Sequence, residues 1–167
     1  MDAPTKYVLL ENVDRLLISP SGQRGRDFAI ILWCLNQLGY AVEWRVVNAA
    51  DYGMPQRRRR IFIMAYHNST KIYSDLIRTE PSDWISKKGV IAGALPVDAV
   101  NSCHPISVEQ NDTWITRNFN ATNLKDMFQN SGVMFNGVAY TKKTTPNYNG
   151  DYKVLGNVIY DGEIDSS

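Results

Sequence analysis

Gln56-Arg57-Arg58-Arg59-Arg60-Ile61-Phe62-Ile63-Met64-Ala65 sets four consecutive arginines directly against five apolar residues. The apolar half reads as a β-strand, because branched and aromatic side chains fit a pleated, buried surface. If the strand begins inside the basic run, successive side chains point to opposite faces. Arg58 and Arg60 then share one face, and Arg57 and Arg59 the other. Guanidinium forks suit phosphate and base carbonyl oxygens, with bidentate geometry available. The run can equally be a solvated basic patch or a localisation signal, although fusion to an apolar strand argues against a free signal.

Working upstream, Val42-Glu43-Trp44-Arg45-Val46-Val47 reads as another strand. The gap to the arginine strand, Asn48 to Pro55, is short and lacks helical periodicity, so the two are expected as antiparallel neighbours. Phe28, Ile31, Leu32, Leu35 and Leu38 recur at helical spacing and predict a helix from about Arg26 to Leu38. Gly39 is placed to end it in the left-handed conformation. Before it lie a Ser-, Pro- and Gly-bearing loop, Ser19 to Gly25, and a short apolar run, Tyr7-Val8-Leu9-Leu10. That run predicts a buried strand ending at Glu11-Asn12. Strand, helix, strand, loop, strand is a piece of an α/β sheet with a helix on one face.

The pattern weakens after His67. Asn, Thr, Gly and Ser become frequent and aromatic residues are scattered through to Tyr160. Short strands are expected at Val133-Met134-Phe135 and Lys153-Val154-Leu155, within a loop-rich, β-leaning region. The division is placed at 1–67 and 68–167, with a frayed polar tail from Asp161 to Ser167.

The 167 residues, 44% hydrophobic and 21% charged, are enough to bury a core. The net charge of +1 neither favours nor excludes a nucleic-acid partner, so local clustering has to decide. Cys34 and Cys103 are not spaced as a zinc or dithiol motif, and their sparseness suggests a reducing, cytoplasmic setting. No apolar run approaches the roughly 20 residues that span a bilayer. No metal site is expected.

Glu11 and Asn12 stand at the end of a strand, where open α/β sheets bind ligands. A partly buried Glu there can hold or donate a proton. The same two residues can instead satisfy loop backbone groups.

Taken together, the motifs resemble those of the DNA cytosine-C5 methyltransferase family. Glu11-Asn12-Val13 follows a strand, a helix runs into Leu38-Gly39-Tyr40, and Asn48-Ala49-Ala50-Asp51-Tyr52-Gly53-Met54-Pro55 leads into Gln56-x-Arg58-x-Arg60. The resemblance is strong over 7–65. Phe128 to Met134 is similar to a stretch in the target-recognition region of some members. The implied fold is α/β: a partial Rossmann-like S-adenosylmethionine-dependent methyltransferase sheet, then a target-recognition region.

The resemblance also implies roles. Glu11 would meet the N3 and amine edge of a flipped-out cytosine, stabilising charge there when a thiolate attacks C6. Arg60 would hydrogen-bond the base O2. Arg58 would reach a backbone phosphate and hold the nucleophile loop over the base. Asn12 would brace that loop, and Gln56 would order the turn. Flipping is needed because C5 and C6 cannot be reached in a stacked duplex. Arg117, Lys142 and Lys143 are candidate DNA contacts, although such residues are as common on inert surfaces.

The family's Pro-Cys nucleophile and its glycine-containing loop for S-adenosylmethionine are not among these residues. Cys34 is expected to be packed in or near the core, and Cys103 has no family counterpart. The chain is therefore expected to be a portion of such an enzyme, truncated at both ends, inactive alone, and either self-associating through an exposed apolar sheet edge or dependent on the missing part for stability. A transfer-RNA cytosine methyltransferase and a non-enzymatic nucleic-acid-binding module remain open as alternatives. Half of a dinucleotide-binding fold is set aside, since no G-x-G-x-x-G follows a strand.

Overall fold

The computed structural model describes residues 4–110, 112–123 and 125–157. Tyr160 and the tail from Asp161 lie outside the described residues. The fold is mixed α/β, built on a six-stranded sheet of order β1-β3-β2-β6-β7-β5. Its strands are β1 (Tyr7–Val13), β2 (Tyr40–Asn48), β3 (Arg59–His67), β5 (His104–Ser107), β6 (Ser131–Phe135) and β7 (Val138–Lys142). Every pairing is antiparallel. A two-stranded ribbon joins β4 (Val97–Ala99) to β8 (Thr144–Pro146).

β2 and β3 are antiparallel neighbours as the short intervening loop predicts, and β3 lies between β1 and β2. The helix α1 (Arg26–Gln37) ends at Gly39, whose φ of +80° is the left-handed cap conformation. β1 departs from expectation in two ways. It continues through Glu11-Asn12-Val13, because all three residues pair with β3. It is also not buried: it forms the sheet edge, and Tyr7, Leu9, Leu10 and Val13 are exposed.

The sheet is covered on both faces. Val42, Trp44, Ile61, Ile63, Met134 and Ala139 pack under α1 with Phe28 and Leu32. The opposite face sets Ala41, Tyr66 and Val133 against Leu76 of α2 (Lys71–Arg78) and against Trp84 and Ile85. These last two sit in a π-helical turn, Trp84–Lys88, that continues the short α3 (Pro81–Asp83) and precedes α4 (Val90–Ala94). Alternate residues of β2 therefore serve two cores.

On this second face β2 carries two charges, Glu43 and Arg45, each 3% exposed. Glu43 accepts hydrogen bonds from the Tyr66 hydroxyl, from Trp84 Nε1 (3.1 Å) and from the Ile91 amide (3.2 Å). Burial pushes its pKa up, against the pull of those donors and of Arg45. Arg45 donates to the carbonyls of Leu95 and Ile85. The pair ties the segment from Trp84 to Leu95 to the sheet through groups that are costly to leave unpaired.

The region after His67 is richer in helix than expected, since α2, α3, α4 and α5 (Asp112–Asn118) all fall in it. Val133-Met134-Phe135 is β-strand as expected. Lys153-Val154-Leu155 is not a strand: Val154 and Leu155 are exposed, and Leu155 opens a 3-10 turn. Nor does the sheet break at residue 67. Arg45 pairs with Ser131 across β2 and β6, and one core holds residues from both sides. Gly132 sits directly against the buried Trp44, where a Cβ would lie 2.1 Å from the indole ring.

Candidate functional site

The motif residues meet at one end of β1 and β3. The register sets Glu11 opposite Phe62 and Val13 opposite Arg60, so Glu11 and Arg60 share a face. Glu11 Oε1 lies 2.7 Å from Arg60 Nε and 3.9 Å from Arg58 Nη2. Arg59 points the other way and pairs with Asp14 at 3.0 Å. Arg58 and Arg60 thus face Glu11 while Arg59 faces Asp14, as alternation requires of these three.

The turn before the run is fixed by its backbone. The Arg58 amide donates to the Gln56 carbonyl (3.1 Å), and the Ala49 amide donates to the Arg58 carbonyl (3.1 Å). Arg60 Nη1 donates to the Arg59 carbonyl at 2.7 Å, which aims its guanidinium along the sheet end. Asn12 Oδ1 accepts from the Val13 amide at 2.7 Å.

Glu11 and Arg58 remain about half exposed and Arg60 less so, with side-chain accessibilities of 44%, 51% and 26%. Surface ion pairs of this kind contribute little to stability, a median of about 0–1 kcal/mol. Their value here is geometric. A carboxylate and two guanidiniums face one point at the open rim of the sheet, able to present an acceptor or proton and several donors to one planar ligand.

The remaining candidates scatter. Arg117 is exposed at the end of α5, and its carbonyl accepts from Gln23 Nε2 (3.1 Å). Lys143 is exposed, and its amide donates to Asn101 Oδ1 at 2.7 Å. Lys142, by contrast with the expected surface contact, is 2% exposed, and its Nζ donates to the Ser82 and Ser86 hydroxyls, so its charge holds α3 to β7 and does not face solvent.

Neither thiol reaches Glu11. Cys34 is exposed, not packed, because it lies about 200° round α1 from the buried Leu32. It also sits near the end of α1 that leads into Tyr40, and Tyr40 pairs with His67 at the far end of β3 from Arg60. Cys103 precedes β5, the opposite edge of the sheet from β1, roughly 24 Å away at normal strand spacing. Burial pushes its thiol up to about 11, which keeps it protonated and unreactive.

Sequence reading missed Arg15 and Arg24, which line a cleft at this same end of the sheet with Ile18, Ser19 and Ser21. The available signal was Asp14-Arg15 directly after Glu11-Asn12-Val13. Among the described residues there is no cluster suited to a metal ion, and no helix is long and apolar enough to cross a membrane.

The rim of this α/β sheet gathers a Glu-Asn-Val strand end and a Gln-x-Arg-x-Arg run, the two motifs that resemble those of cytosine methylases. Residues 2–161 match the family described as C-5 cytosine-specific DNA methylase, and the chain belongs to that family. It is 47% identical to the type II methyltransferase M.Sau3AI of Staphylococcus aureus over 157 residues, covering 92% of this chain and 37% of that protein. It is 46% identical to M.NgoBI of Neisseria gonorrhoeae over 41% of this chain and 20% of that protein. For M.HhaI of Haemophilus parahaemolyticus the identity is 34%, over 40% and 20%. The chain therefore spans little more than a third of the relative it matches over most of its length. No solved structure matches it significantly.

Proposed function

We propose that this chain is the base-gripping and part of the target-recognition portion of a type II restriction-modification enzyme that methylates C5 of cytosine in double-stranded DNA. The observation that carries the reading is the convergence of Arg58 and Arg60 on Glu11 Oε1. In the proposed complex a flipped-out cytosine displaces that ion pair. Glu11 takes the N3 and amine edge, holding the proton that lets charge drain onto N3 under attack at C6. Arg60 donates to the base O2, and Arg58 turns to a backbone phosphate and the nucleophile loop. Asn12 braces that loop and Gln56 orders the turn. Arg117 and Lys143 are the surface candidates for DNA contacts. Residues 1–67 act as the later part of a Rossmann-like catalytic domain, and 68–167 as part of the recognition region.

S-adenosylmethionine supplies the methyl group in the whole enzyme. The residues at this rim do not suit it: a sulfonium cation is not drawn to a cleft lined by Arg15 and Arg24. The donor and the nucleophilic thiol are therefore assigned to other parts of the whole enzyme, which works in the cytoplasm. This chain alone is inactive, and the apolar side chains exposed along β1 are available for pairing with the rest of the enzyme or with a second copy. Methyl transfer by the intact enzyme to duplex DNA and to transfer RNA tests the substrate. Transfer to DNA with none to transfer RNA is expected, and the reverse preference would overturn the assignment.

A further inference from the structure

The cleft behind the pocket has the makings of an anion site. It measures about 410 Å³ and is lined by Arg15, Ile18, Ser19, Ser21 and Arg24. That is many times the roughly 30 Å³ share of one water, so a hydrated phosphodiester has room. Both arginines are exposed, and among the described residues no ion pair reaches either of them. Asp27, which Ser19 Oγ contacts at 2.7 Å, is already paired with Arg26 at 3.0 Å.

The two guanidiniums stand on a fixed backbone. Arg15 lies in a 3-10 turn, Asp14–Ile18, anchored by the buried Leu17. The Arg24 amide donates to Asn120 Oδ1 (3.0 Å) and its carbonyl accepts from the Ala121 amide (2.9 Å). The next residue, Gly25, has φ +82°, and a Cβ there would crowd the Phe119 and Phe128 rings at 3.2 and 3.3 Å. Arg24 is thus set by contacts with the recognition part of the chain. Asp14, the residue before Arg15, pairs with Arg59, so Arg15 follows directly on the rim that carries Glu11. This end of the sheet gathers Arg15, Arg24, Arg26 and the run Arg57 to Arg60 against Glu11, Asp14, Asp27 and Asp51, a local excess of basic groups in a chain of net charge +1. Such a local excess of guanidinium, with no ion pair to Arg15 or Arg24 among the described residues, draws a polyanion.

We infer that the Arg15–Arg24 cleft binds a backbone phosphodiester of the DNA beside the target base, fixing the duplex while Glu11 and Arg60 hold the base. The inference rests on the DNA reading above. Contacts to phosphate set register without reading sequence, so the effect should be the same for every duplex.

The test has two arms on the full chain. Backbone amides are followed by NMR during titration with dimethyl phosphate and with duplex DNA, and DNA affinity is measured against salt for wild type, Arg15→Gln, Arg24→Gln and the control Lys71→Gln. Both probes are expected to move the amides of 15–24. Each arginine substitution should lower the salt slope by about one, equally for all sequences, and Lys71→Gln should not. DNA binding that leaves those amides and the slopes unchanged overturns the cleft and spares the DNA reading. Shifts with dimethyl phosphate but no DNA binding leave a simple anion site and overturn both the inference and the reading beneath it. No response to either probe overturns both as well.

Discussion

Glu11→Gln in the intact methyltransferase is expected to lower kcat by about 10²- to 10⁴-fold, the usual contribution of a positioned general acid. Gln keeps the size of the side chain and can still bond a base edge, but it has no acidic proton to deliver as negative charge drains onto N3. KM for DNA should change far less than kcat, because the lost interaction is one that strengthens in the transition state. Single-turnover kinetics with saturating DNA check this directly. The variant should fold normally, since Glu11 is half exposed and its ion pairs are of the weak surface kind. A kcat within a few-fold of wild type would mean that Glu11 only shapes the loop.

The largest effect on stability is expected from Gly132→Ala. A Cβ at residue 132 would lie 2.1 Å from the Trp44 ring, and Trp44 is 1% exposed with no room to retreat. Overpacking a tight core typically costs about 1–3 kcal/mol and sometimes more. Here the clash sits where β2 meets β6, the pairing that carries the sheet across residue 67. Urea denaturation should show one cooperative transition moved to lower urea, for residues 1–67 and the later strands together. Loss of the later strands alone, with the first 67 residues still folded, would show that they are independent units.

The sequence made some of this legible for clear physical reasons. Ile61 to Ala65 is a strand because its side chains suit a sheet covered on both faces, and Arg59 and Arg60 face opposite ways because the strand begins at Arg59. Gly39 marks the end of α1 because the chain must turn through a positive φ there. The course of β1 past Leu10 was hidden. Polar Glu11 and Asn12 look like a strand end, yet an edge strand tolerates them, since one side of it faces solvent. Cys34 was misjudged because it falls between apolar neighbours in sequence, whereas burial in a helix follows the 100° step.

Beyond His67 the helices are short. α2 was detectable: Thr70 caps it by accepting from the Tyr73 amide at 3.2 Å, and Ile72, Tyr73, Leu76 and Ile77 form its apolar stripe. Glu43 and Arg45 alternate with Val42, Trp44 and Val46, the pattern of a half-exposed strand. Only the segment from Trp84 to Leu95, folded back over that face, buries them. Lys142 is hidden in the same way by Ser82 and Ser86. In each case the deciding contact is far away in sequence. The grouping of Glu11, Arg58 and Arg60 is what the resemblance to the methyltransferase family implies, and the antiparallel pairing of β1 with β3 places the three side chains together.

The most direct test of the pocket is binding of the full chain to two duplexes that differ only in one unpaired base, cytosine or thymine, over a rising salt series. An unpaired base removes most of the cost of flipping. Phosphate contacts fade steeply with salt, whereas base-edge hydrogen bonds do not. A preference for cytosine that survives high salt and disappears in Glu11→Gln is predicted. Equal binding of the two duplexes at every salt concentration, or a preference indifferent to Glu11→Gln, would contradict the assignment of Glu11, Arg58 and Arg60 to a cytosine site.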